Sequence, residues 1–291
     1  MKIGLSTATF FGKILTENSF EYIKSFGIDT AEVFLTTFSE YEESFTDLLK
    51  DRASGIEVYS VHSLNNHYEP ELFNLVERTR SDGEKLLQKV LKGAEKLNAK
   101  YYTFHGPSRL KVTEYNLDYK RIGERAEELC HLAEGYGVKI AYENVSWAFY
   151  NRPGFFTKML RYAPSLTGCL DIKQAMQAFR NQQGISAGRA LTDGEYESLM
   201  DYTLSYIDDM GDRLVNVHLS DYHVTGKLCP PGQGIFDFSK LIFKLKKSRY
   251  SGPLIIELYS GDYENFDEIK ESIKYLKDIQ GGEDEESENK T

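Results

Sequence analysis

Short, almost wholly apolar runs alternate along the chain with longer stretches whose apolar residues recur every three or four positions. The first kind reads as strands buried on both faces, the second as amphipathic helices packed over them. This pattern predicts strands at 2–6, 31–35, 56–62, 101–105, 138–145, 166–171, 214–218 and 254–257. It predicts helices at 20–25, 42–53, 71–97, 119–136, 156–162, 195–210, 238–247 and 265–279. Ser19 reads as the N-cap of the first helix, and Gly27, Gly55 and Gly137 read as helix stops. In 71–97 the residues Leu72, Leu75, Val76, Leu86, Leu87, Val90, Leu91, Ala94 and Leu97 keep close to a helical period. Residues 182–193 are Gly-rich, follow a strand end and read as an inserted loop, while the acidic stretch 281–291 reads as disordered.

Strand and helix alternate about eight times, which predicts an α/β chain folded as a (β/α)8 TIM barrel. A single domain is expected over 1–279, with 280–291 as a tail. An open doubly wound sheet would carry a Gly-rich phosphate turn after its first strand. Ser6-Thr7-Ala8-Thr9-Phe10 is no such turn.

Chemistry enters at the strand ends. The run Val138-Lys139-Ile140-Ala141-Tyr142 leads straight into Glu143, and other strands lead into His62, His105, Asp171, His218 and Glu257. Strands that each deliver one ligand-type residue at the same end have the layout of a barrel active site. Glu143, Asp171 and Glu257 repel one another unless a cation lies among them, so with His218 they form a candidate site for a divalent metal ion. Mixed oxygen and nitrogen ligation suits Mn, Zn, Co or Mg. His62 and His105, with Glu143 as a bridge, form a candidate second metal position.

The net charge of −10 weighs against a polyanionic partner such as nucleic acid. Cys130, Cys169 and Cys229 have no CxxC pairing and read as reduced thiols, and no apolar leader or membrane-length run is seen. A soluble cytoplasmic protein is therefore expected, with an oligomer left open.

The motifs Phe104-His105-Gly106-Pro107, Tyr142-Glu143-Asn144, Cys169-Leu170-Asp171, Val217-His218-Leu219-Ser220-Asp221, Pro231-Gly232-Gln233-Gly234 and Ile256-Glu257 resemble the xylose-isomerase-like barrels. That group includes sugar phosphate isomerases and epimerases, inosose dehydratases and endonuclease IV-type AP endonucleases. The resemblance spans nearly the whole chain, to about Ile279. It implies Glu143, Asp171, His218 and Glu257 as metal ligands, with Glu143 and Glu257 also acting as acid and base on either side of a substrate carbon. It thereby implies an isomerase or epimerase acting on a small sugar, sugar phosphate or polyol. The alternatives are an AP endonuclease-type phosphodiesterase and a barrel that binds a sugar without turnover, and a lyase or dehydratase on the same scaffold reads alike.

Gln174 stands where the resembled epimerases and endonucleases have a His. Gly226-Lys227-Leu228 replaces the endonucleases' Asp-x-His, and Val224 lies near the place of the epimerases' Arg. Arg109, Trp147, Lys173, Gln174 and Arg189 are candidate substrate contacts, as is Lys111. Arg189 has a particular expectation attached, as the cation of a lid formed by 182–193 with Gly184 and Gly188 as hinges.

Overall fold

A computed structural model describes residues 1–64, 68–108, 117–186, 188–224 and 226–288, with side chains to 281. Arg109, Lys111 and His67 lie outside the described residues. The strands are β1 (Ile3–Ser6), β2 (Thr30–Leu35), β3 (Glu57–Ser63), β4 (Tyr101–Phe104), β5 (Lys139–Glu143), β6 (Thr167–Asp171), β7 (Leu214–Leu219), the short pair β8 (Asp221–Tyr222) and β9 (Leu228–Cys229), and β10 (Leu254–Ile256). The helices are α1 (Ser19–Ser25), α2 (Glu43–Arg52), α3 (Tyr68–Glu71), α4 (Glu77–Lys96), α5 (Tyr119–Glu134), α6 (Phe155–Met159), α7 (Ile172–Gln182), α8 (Asp193–Met210), α9 (Phe238–Lys247) and α10 (Phe266–Glu288).

β1, β10, β7, β6, β5, β4, β3 and β2 close in that order into a barrel, and every neighbouring pair is parallel. A parallel strand between helices is buried on both faces, which is why β2 and β6 are buried at every position, Glu32 of β2 included. Each large helix turns one stripe inward. In α5 the stripe is Ile122, Ala126, Leu129, Cys130 and Ala133, and in α9 it is Phe238, Leu241, Ile242 and Leu245. No helix among the described residues is long and apolar enough to cross a membrane.

Register sets the height of the functional residues. Asp171 lies beside His218 across β6 and β7, and His218 lies beside Ile255, two residues before Glu257. Irregularities interrupt β2 against β3 at Ala31/Glu32 and β6 against β7 at Gly168/Cys169. Such irregularities re-aim the residues that follow them.

Four elements differ from expectation. The helix expected over 71–97 is two helices, because the Asn74 side chain accepts the Val76 N–H at 2.9 Å and turns the chain outward. Leu75 and Val76 are exposed, so they belong to the turn and not to the apolar stripe. The stretch after Asp171 is a full helix, α7: the Asp171 carboxylate caps it at Gln174 N–H (2.8 Å), and Ile172, Ala175, Met176 and Phe179 face the core. β8 and β9 form an antiparallel hairpin that was not expected, in the connection after β7. The last helix continues past Ile279 to Glu288.

Candidate metal centre

The strand ends bring Glu143, Asp171, His218 and Glu257 together, each 3% exposed or less. One ligand atom from each lies within 4.8 Å of all the others. His218 Nδ1 is 2.9 Å from Glu143 Oε1 and 3.5 Å from Glu257 Oε2. Two neighbouring residues hold the frame. The Asn144 side chain donates to the Asp171 carbonyl (2.9 Å) and accepts the Asp171 N–H (2.8 Å), tying the ends of β5 and β6. The Asp221 carboxylate accepts the N–H groups of Gly232, Gly234 and Phe236 at 3.0–3.1 Å, fastening the Pro-Gly turn beyond the hairpin.

A second trio, His62, His105 and Glu143, satisfies the same 4.8 Å spacing. His105 Nε2 is 2.9 Å and His62 Nε2 is 3.8 Å from Glu143 Oε2. Burial by itself would lower His105, but its hydrogen bond to Glu143 and the Glu69 charge raise it to about 9. Burial and the neighbouring His105 charge push His62 down. Gly106, at φ +70°, lets the chain turn directly after His105, and a Cβ there would collide with the Tyr142 ring.

Sequence reasoning missed two buried carboxylates around this centre. Glu32, from β2, reaches across the barrel and accepts from Ser60 Oγ (2.7 Å), Thr103 Oγ1 (2.8 Å) and Asn216 Nδ2 (3.3 Å), with His218 Nε2 at 3.0 Å. A charge in the middle of an otherwise buried strand was its signal. Glu69, on α3, accepts the Tyr102 hydroxyl at 2.6 Å and the His105 N–H at 2.9 Å, and burial pushes it up to about 7. No pattern in the sequence marks it.

The other candidate contacts separate. Lys173 is buried, with Nζ 3.2 Å from Glu257 Oε2 and 3.5 Å from Asp171 Oδ2. The Trp147 ring meets His105 edge-on at 5.4 Å and is partly exposed at the mouth. Gln174 Oε1 accepts from Ser146 N–H (3.1 Å) and Ser146 Oγ (2.8 Å), so it anchors the loop after β5. Arg189 is turned toward Glu195, which it meets at 2.6 Å at the exposed start of α8, while Arg180 holds the Ser186 and Arg189 carbonyls. Ser186 and Arg189 are thus tied to α7 and α8, and the Arg189 guanidinium is engaged by Glu195.

The donor set fits a divalent ion. Burial pushes Asp171 up to about 7 against the pull of Lys173. Burial would also raise Glu257 and Glu143. The Lys173 and His218 charges outweigh it for Glu257, and hydrogen bonds with His105 and His218 outweigh it for Glu143, so both stay ionised. Glu257 Oε1 is buried without a hydrogen-bond partner, an expensive state for a carboxylate oxygen unless a cation meets it.

With the geometry in view, solved structures supply comparisons. A D-tagatose 3-epimerase-like protein superposes with a TM-score of 0.76 at 20% identity, covering 99% of this chain and 100% of its own. A 3-keto-D-glucoside 4-epimerase from E. coli has a TM-score of 0.69 at 18% identity, over 95% of this chain and 99% of its own. An IOLI protein with a bound zinc atom has a TM-score of 0.66 at 18% identity, covering 96% of each chain. At these identities the likeness is one of fold. Among curated protein sequences none matches. A family model described as xylose isomerase-like TIM barrel matches residues 20–279, from the first helix of the barrel to the last, and the chain belongs to that family.

Proposed function

We propose that this protein is a metal-dependent isomerase or epimerase that moves a proton at a carbon next to a carbonyl or hydroxyl of a small sugar, sugar phosphate or polyol. The observation that carries this reading is the pair of ionised carboxylates, Glu143 and Glu257, converging on one imidazole from different strands, with Nδ1 of His218 at 2.9 and 3.5 Å. Two carboxylates flanking one point can remove a proton from one side of a carbon and return it from the other. The names of the similar structures, a D-tagatose 3-epimerase-like protein, a 3-keto-D-glucoside 4-epimerase and an IOLI protein with bound zinc, support it.

Glu143, Asp171, His218 and Glu257 would hold the ion. When bound, it would polarise adjacent substrate oxygens and acidify the neighbouring C–H. His105 and His218 keep Glu143 ionised, and Lys173 and His218 do the same for Glu257, so either can accept the proton from carbon, while the one that returns a proton takes it up from solvent first. Trp147 beside His105, Phe34 beside His62 and Tyr259 under Lys173 place aromatic surface next to the centre, suited to the apolar face of a sugar.

The test is solvent exchange. The purified protein, with its metal content measured, is incubated in D2O with ketopentoses, ketohexoses, their phosphates and 3-keto-glucosides. Deuterium should enter at a carbon next to the carbonyl of one class, cease after chelation and return with Mn, Co, Zn or Mg ions. A metal-loaded protein that exchanges none of them, or that incises abasic duplex DNA efficiently at moderate salt, overturns the reading.

A further inference from the structure

Lys173 occupies a position that its own helix disfavours. It lies in the first turn of α7, where the helix dipole favours negative charge, and it is only 7% exposed. A buried ammonium at that end needs another source of stabilisation. It has one: Asp171 Oδ2 at 3.5 Å, Glu257 Oε2 at 3.2 Å and the face of Tyr259 with its centroid at 5.2 Å. Both carboxylates belong to the quartet read above as metal ligands, and the inference rests on that reading.

We propose that Lys173 is the resident counter-cation of the ligand quartet. It complements a single divalent ion, competes with that ion electrostatically, and sets which oxygen of Glu257 is free. Three ligand carboxylates are balanced by one divalent ion together with one ammonium. Before an ion enters, the ammonium relieves the repulsion between Asp171 and Glu257. Once the ion is present, two cations share the same carboxylates and repel. Lys173 and His218 both approach Oε2 of Glu257, whereas Oε1 has no partner. Lys173 is thus a positioning residue for Glu257: its contact leaves Oε1 directed to whatever enters the centre.

The competition predicts an opposite movement of two properties that damage to the fold would move together. Lys173→Met should bind Mn2+ at least about fivefold more tightly than the wild type, and its kcat should fall at least about tenfold with KM little changed. Its metal-free form should melt lower than the wild type, and the rise in Tm on adding Mn2+ should be larger. Lys173→Arg keeps the charge and should bind Mn2+ with near wild-type affinity. Full-length proteins are titrated with Mn2+ by calorimetry and melted with and without the ion. Equal or weaker Mn2+ binding by Lys173→Met, or tightening in Lys173→Arg as well, overturns the inference while the metal reading stands. A wild-type protein that takes up no divalent ion overturns the metal reading and this inference with it.

Discussion

Glu257→Gln should lower kcat by about 10²–10⁴-fold and reduce metal occupancy, with the barrel still folded. The side chain comes from the residue after β10 and is 3% exposed, so its neighbours rather than water set its properties. An amide has nearly the same shape, so packing against the barrel wall is kept. What changes is charge and basicity. The amide oxygen does not take up a proton from carbon, and it offers a metal ion a weaker, neutral ligand. Oε2 now answers two cations, Lys173 at 3.2 Å and His218 at 3.5 Å. With a neutral group there, Lys173 keeps only Asp171 as an anionic partner, while His218 keeps Glu143 and Glu32. Metal content by elemental analysis, kcat at saturating metal and thermal unfolding separate the effects. Full metal occupancy with retained turnover would show Glu257 to be neither ligand nor base.

The contrast between what the sequence discloses and what it conceals follows from distance along the chain. The barrel is legible because parallel strands buried on both faces leave apolar runs, and their ends are marked by an abrupt change to His, Asp or Glu. Glu143, Asp171, His218 and Glu257 were readable for that reason. Glu32 bore only the mark of a charge within a buried strand, and its role was hidden, because its partner His218 lies 186 residues away and only closure of the barrel brings β2 opposite β7. Glu69 is harder still: it sits on a four-residue helix, and its role exists only because the β4 end passes beside it. The helix after Asp171 falls outside the expected set because strand and helix share that residue, which ends β6 and caps α7. Arg189 was given a lid's role from its loop. Its actual partner, Glu195, is also the third residue of the Thr192 capping box, and that box draws the guanidinium to the start of α8.

Glu32 gives the other large expectation. It is fully buried, and one of its oxygens collects Ser60, Thr103, Asn216 and His218. Burial alone would raise its pKa, but the His218 charge and hydrogen bond outweigh this and hold it low. By lying against Nε2, the carboxylate holds a proton of His218 there, so that a bound ion would displace only the proton on Nδ1, the nitrogen facing Glu143 and Glu257. Glu32→Ala removes the acceptor of all these donors at once and leaves a buried imidazole without its counter-charge, a loss of about 3–5 kcal/mol. Glu32→Gln keeps the shape and removes the charge. It should weaken Mn2+ binding by about 10–100-fold with a smaller loss of stability. The sign of the pH effect follows from the lowered pKa. The stabilisation from Glu32 is present above the ordinary carboxylate value of about 4.3 and disappears as pH falls from there through the folded value. Metal-free wild type should therefore lose stability on acidification more steeply than Glu32→Gln, as read by urea unfolding across that range. If Glu32→Gln binds Mn2+ as the wild type does, His218 holds its tautomer without Glu32. The two contacts on its Nδ1 side, Glu143 and Glu257, must then suffice to orient the ring.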